Sequence, residues 1–167
     1  MTQAFISELK QEGATTKRVL ERVPQDKLSW KPHAKSWSLG ELALHVAQVP
    51  GNIANMITPS SLEVINFTQA EAKSTAEILK ALDDSLANAE AKLAGWSDAD
   101  LMTDWKMTAG PRTIMTMPRI AVVRAIMLNH WYHHRGQLSV YLRELNIPVP
   151  SIYGPSADEN PFATRAN

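Results

Sequence analysis

Apolar residues along this chain recur mostly at intervals of three and four, the spacing that lines one face of a helix. Phe5, Leu9, Leu20 and Val23 predict a first helix that stops at Pro24. Residues 27–35, which include Trp30, Pro32 and His33, carry no period and read as a loop. Ser38 and Glu41 stand at capping-box spacing at the head of a second helix, whose stripe is Leu39, Leu42, Val46, Val49, Ile53 and Met56. Pro50 cannot donate to the carbonyl of Val46, so Pro50-Gly51 should kink that helix or force a restart at Asn52. Ser74 and Glu77 repeat the start signal for a third helix over Ile78, Leu82, Leu86, Ala89, Leu93 and Trp96, with residues 58–73 as a polar crossover before it.

The period is lost between residues 97 and 118, where segments 105–108 and 112–116 flank Ala109-Gly110-Pro111 and predict a short hairpin. It returns in Ile120, Val123, Met127, His130, His134, Leu138, Tyr141 and Leu145, a last helix that Asn146 and Pro148 stop. The tail from Val149 onward is irregular. The expected fold is therefore all-α: one domain over residues 1–167, a four-helix bundle with a long crossover connection and a short hairpin before the last helix.

Composition narrows the function. The chain has 167 residues, of which 44% are hydrophobic, enough for a single well-buried core. The 17 basic residues balance the 17 acidic ones without a basic run, which argues against nucleic acid and anionic lipid as partners. No apolar stretch is long enough to span a membrane, and the N-terminus MTQAFISELKQEG lacks a secretory pattern, so a cytoplasmic protein with a small-molecule partner is expected. With no cysteine there is no disulfide, no cysteine-zinc site and no cysteine nucleophile, which leaves His, Asp and Glu as metal ligands.

Two of the five histidines, His130 and His134, fall on the apolar stripe of the last helix, where an imidazole needs a partner for its nitrogens. One turn apart, about 6 Å along the axis, they can converge on one ion. The sequence His130-Trp131-Tyr132-His133-His134 lacks the Glu of a metalloprotease HExxH motif. A third ligand would come from a facing helix, and His45 sits at the edge of the second helix's stripe, about 60° from Leu42 and about 40° from Val49. His33, in the loop, and His133, turned about 100° from His134, read as solvent-facing or supporting residues. From the residues alone two readings stay open: core histidines satisfied by carbonyls or hydroxyls, or metal ligands. Three neutral imidazoles would leave a dication's charge uncompensated, which suits catalysis better than a closed structural site.

The stretch Trp37-Ser38-Leu39-Gly40-Glu41-Leu42 leading to His45 is followed much later by Asn129-His130-Trp131-Tyr132-His133-His134-Arg135-Gly136-Gln137-Leu138, then Tyr141-Leu142-Arg143-Glu144-Leu145. Together with Ile152-Tyr153-Gly154-Pro155-Ser156, these resemble the DinB family, the His-Arg-Gly-Gln run being the specific part. The resemblance covers most of the chain by order of elements. It implies a bundle of the DinB and bacillithiol-transferase type, in which one His of the second helix and an HxxxH pair of the last bind a divalent ion, positions matched here by His45, His130 and His134. It also implies metal activation of a low-molecular-weight thiol for transfer or isomerisation, a homodimer formed through helix faces, and a link to DNA-damage induction.

On that footing the cofactor is a divalent ion (Zn, Ni or Fe) that lowers the pKa of a thiol. Arg135, Tyr153, Asp158 and Glu159 are candidates to border its open position, although Arg135 reads equally well as the partner of a surface carboxylate. Gly136 suggests close helix packing, and Trp131 and Tyr132 read as packing residues. The alternatives are a metal-dependent hydrolase, with Asp158 or Glu159 as base if the tail folds over the site, and a non-catalytic, stress-related metal-binding dimer.

Overall fold

The computed structural model of the chain describes residues 1–64 and 68–163; residues 65–67 of the crossover and 164–167 of the tail lie outside the described residues. In chain order the elements are α1 (Thr2–Leu20), α2 (Leu39–Ile57), β1 (Ser61–Glu63), α3 (Thr75–Ala94), α4 (Asp98–Met102), β2 (Asp104–Ala109) and β3 (Arg112–Pro118). A final helix follows in three parts, α5 (Arg119–Val122), a π-helical segment Val123–Asn129 and α6 (His130–Glu144), with right-handed helical backbone across both junctions. The long helices pack on one another, α2 against α3 and α6, and α1 against α3 and α6.

Local chemistry explains the boundaries. At the head of α2 the predicted capping box forms: Glu41 N–H donates to Ser38 Oγ at 3.1 Å and Ser38 N–H to Glu41 Oε2 at 2.6 Å. At α3 only half of it forms, since Ser74 accepts from Glu77 N–H but the Glu77 carboxylate accepts from Lys73 instead. Of the two outcomes expected at Pro50, a kink or a restart at Asn52, the restart does not occur: α2 runs through as one helix, because neighbours serve the groups that proline disturbs. The Val46 carbonyl accepts the buried Trp131 indole N–H at 2.8 Å, and Gly51 N–H donates to Ser85 Oγ at 2.8 Å. A Cβ at Gly51 would lie 2.9 Å from Ser85 Cα, so α3 packs directly on the α2 backbone here.

The all-α expectation needs correcting. The predicted hairpin is present as β2 and β3, with Gly110 at φ 55 in its turn, but β1 adds a third strand parallel to β2 in the order β1-β2-β3. A lone hairpin is marginal in water, and the crossover passes close enough to supply a partner strand. Three residues, Ser61–Glu63, are too few to show a period in the sequence. The sheet is fastened to the end of α2 by the buried Trp105, whose indole N–H donates to Met56 O at 3.1 Å. Arg119 donates to Ile57 O at 2.9 Å and so serves an end-of-helix carbonyl.

The last helix is also phased differently from the expected stripe. Its buried α6 positions are Trp131, Arg135, Leu138 and Leu142, whereas His130, His134 and Tyr141 are half-buried and Gln137 is exposed. The π-helical turns immediately before His130 hold more residues per turn than an α-helix, which rotates everything after them relative to a constant 3.6-residue period. Consequently the histidines flank the core seam and do not lie in it.

Candidate metal centre

His45, on α2, is a half-buried position among buried neighbours Leu44 and Val46. It faces His130 and His134 of α6, and one ring nitrogen from each of the three lies within 4.8 Å of the others. Ring centroids are 5.2 Å apart for His45–His130, 4.6 Å for His45–His134 and 4.4 Å for His130–His134. His45 Nε2 and His130 Nε2 approach to 3.0 Å. Two imidazole nitrogens on one tetrahedral ion at about 2.0–2.1 Å each would stand roughly 3.3 Å apart, so the spacing fits a shared cation. Among the described residues no Asp or Glu is grouped with the three.

Amide side chains orient two of the rings. Buried Gln69 presents Oε1 to His45 Nδ1 at 3.1 Å, while its own Nε2 donates to Ala70 O at 3.1 Å. Since that amide is held with its oxygen toward the ring, His45 Nδ1 is the donor and Nε2 keeps its lone pair. Gln137 Oε1 lies 2.7 Å from His134 Nδ1, which leaves Nε2 of that ring in the same state. Trp37 covers the group from the loop before α2, its ring centroid 4.9 Å from His45 and 5.8 Å from His134, nearly parallel to the latter at 29°.

The electrostatics keep these rings neutral. Burial first, then the His134 and His130 charges, push His45 from 6.5 down to about 4 against the opposing Gln69 bond. His130 is lowered by burial, then by His134 and His133, and His134 by burial and His133 against its bond to Gln137. Neutral imidazole is the form that binds a cation.

Other residues singled out by the sequence go elsewhere. His33 is exposed and shapes the loop, its Nδ1 accepting Lys35 N–H at 3.1 Å. His133 is exposed beside His134, with ring centroids 5.0 Å apart. Arg135 does not border the histidines and does not pair on the surface. Only 1% exposed, it meets Glu12 at 2.7 Å and donates to Thr16 Oγ1 at 3.1 Å and Tyr153 Oη at 2.6 Å. The Tyr132 and Tyr153 rings stand 5.2 Å and 5.1 Å from its guanidinium carbon.

The tail does fold back, but onto α1 and the end of α6: Glu159 pairs with Arg18 at 2.5 Å, and Asp158 with Arg143. Neither carboxylate is grouped with the histidines among the described residues. Gly136 does not mark close packing either, since a Cβ there would meet nothing within 4 Å. Gln69 and Trp37 were missed as site residues. Trp37 sits in the Trp-Ser-Leu-Gly-Glu-Leu stretch and could have been noticed, whereas Gln69 lies in an aperiodic crossover with no signal.

The family model for the DinB family matches residues 1–163. The chain is 24% identical over 160 residues to the uncharacterized protein YrdA of Bacillus subtilis (strain 168), covering 93% of this chain and 89% of that one. Its fold is similar to the crystal structure of a DinB-like protein from Bacillus cereus, with a TM-score of 0.68 at 22% identity over 90% of this chain and 97% of that one. A DinB-like protein from Bacillus subtilis, YjoA, gives a TM-score of 0.66 at 22% identity, over 87% and 95% of the two chains. No described helix is long and apolar enough to cross a membrane.

Proposed function

The chain belongs to the DinB family, and from that premise we propose that His45, His130 and His134 hold one divalent cation in a metal-dependent transferase that activates a low-molecular-weight thiol. The observation that carries this reading is the inward convergence of imidazole nitrogens whose Nδ1 partners, Gln69 and Gln137, are amide oxygens. When bound, the dication supplies a lowered thiol pKa and hence a thiolate near neutral pH. Gln69 and Gln137 fix the tautomer and aim of two ligands. Trp37 packs beside His45 and His134, and a chain without cysteine offers no thiol of its own in competition. Zinc, nickel and iron all suit an all-imidazole set.

Hydrolysis is less well supported because Asp158 and Glu159, its candidate bases, are engaged by Arg143 and Arg18. A closed structural site would call for a fourth protein ligand, and the described residues group none with the three histidines. Cobalt substitution tests the reading. Adding 2-mercaptoethanol or cysteine to the cobalt-loaded chain should produce a sulfur-to-metal charge-transfer band that His134→Ala lacks. A cobalt site indifferent to a panel of thiols, in a protein whose zinc form cleaves esters, would move the assignment to hydrolysis.

A further inference from the structure

Beside His134, the loop before α2 and the last helix enclose a cleft of about 290 Å³, near the lower end of small-molecule sites. Its apolar walls are Trp37, Leu42 and Tyr141, and its polar lining is Lys35, Ser36, Gln137 and His134 itself. The walls are set in place by contacts of their own. Tyr141 Oη donates to Trp37 O at 3.4 Å, and the Trp30 ring meets Tyr141 edge-on at 5.6 Å. Trp37 lies nearly parallel to His134, so one indole serves both the histidine group and the cleft. A flat or apolar ligand would find this surface already formed and lose little freedom in ordering it.

The charge of the cleft is one-sided. Among the described residues Lys35 is the charged residue of the lining, no carboxylate lines it, and Lys35 has no ion-pair partner. Nearby Lys31, by contrast, reaches Glu41 at 3.5 Å. The backbone carrying Lys35 is held by His33, which accepts Lys35 N–H at Nδ1 and Ser36 N–H at its carbonyl, 3.1 Å and 2.9 Å respectively. A cation at the triad would add positive charge at the His134 end.

We propose that this cleft is the substrate subsite of the histidine centre and takes a small carboxylate with a flat or apolar body. Lys35 and Ser36 meet the carboxylate, Trp37 and Tyr141 flank the body, and the other end of the ligand is turned toward His134. The position of that reacting end rests on the metal-centre reading; the recognition of the carboxylate by Lys35 does not.

The test uses phenylacetate and its neutral counterpart, phenylacetamide, on the full chain after chelation, so that no cation contributes. Backbone-amide NMR should show phenylacetate shifting Lys35, Trp37 and Gln137 and binding at least about threefold more tightly than the amide. Lys35→Gln, an exposed change that leaves the core alone, should erase the preference, and Trp37→Ala should weaken both probes. Equal binding of the two probes, shifts mapping elsewhere, or no binding would each overturn the proposal. A parallel metal analysis separates it from the function proposed above. A stoichiometric divalent metal with no Lys35-dependent preference removes the subsite and leaves the metal centre, whereas the preference in a chain that binds none of zinc, nickel or iron stoichiometrically removes the metal centre and leaves the subsite.

Discussion

His134 and Arg135 are neighbours on one helix, yet they belong to opposite kinds of site. Arg135 points into the seam with α1, where Glu12, Thr16 and Tyr153 use its donors and two tyrosine rings flank it. That cluster is electrically balanced, and its Arg135, Glu12 and Thr16 are buried. His134 points to the flank, where three imidazoles face one another with no carboxylate grouped with them among the described residues, and an aromatic cleft opens alongside. That cluster is a set of neutral imidazoles in mutual contact, His45 Nε2 and His130 Nε2 standing 3.0 Å apart. Side chains that satisfy one another by opposite charge stabilise a fold, whereas three imidazoles whose nitrogens lie within 4.8 Å of one another could also hold a metal ion.

The contrast breaks most visibly at Arg135. Arg135→Ala leaves Glu12 buried without its partner and should cost about 3–5 kcal/mol of stability, read as a lower urea midpoint. If the chain loses less than about 1 kcal/mol, the seam is not the closed cluster inferred from its geometry. His130→Ala and His134→Ala should do the reverse. Each abolishes stoichiometric metal after dialysis against a chelator while far-UV circular dichroism stays helical, and an ion retained by both variants would displace the centre from these residues.

Gln69→Leu sharpens the comparison by loosening an orienting group and keeping every ligand, so metal affinity should fall about 10- to 100-fold. An unchanged dissociation constant would mean that Gln69 merely fills space. The smallest effect is on pH dependence. All three triad histidines have folded pKa values below the ordinary one, so between about 6.5 and about 4 the unfolded chain binds more protons than the folded one. Stability of the metal-free protein should therefore be full above about 6.5 and decline as the pH falls below it. His45→Gln should flatten that slope in thermal melts, and a melt independent of pH across this window would contradict the burial of these rings.

Much of this was legible from spacing. The capping box at Ser38 and Glu41, the end of α1 ahead of Pro24 and the hairpin around Gly110 follow from rules that act within a few residues. Spacing made the three histidines candidates but left core histidines and metal ligands both open, and the resemblance to the DinB family is what singled them out as a ligand set. Even the closed seam left a trace: between Leu9 and Val19 the inward positions of α1 include Glu12 and Thr16, polar residues where a core stripe should continue. They are inward because Arg135 comes to meet them.

By itself the sequence determined which long segments are helical and roughly where they start and stop, since capping and periodicity depend on near neighbours alone. Only the tertiary structure decided the rest, because the partners are far apart in sequence. The crossover became a third strand beside β2, the π-helical turns rotated His130 and His134 out of the core seam, and the Trp131 indole took up the carbonyl that Pro50 leaves free. Gln69 met His45 across an aperiodic loop, and the tail carboxylates were drawn to Arg18 and Arg143. Long-range hydrogen bonds and burial set these outcomes, and no local pattern encodes the distances over which they act.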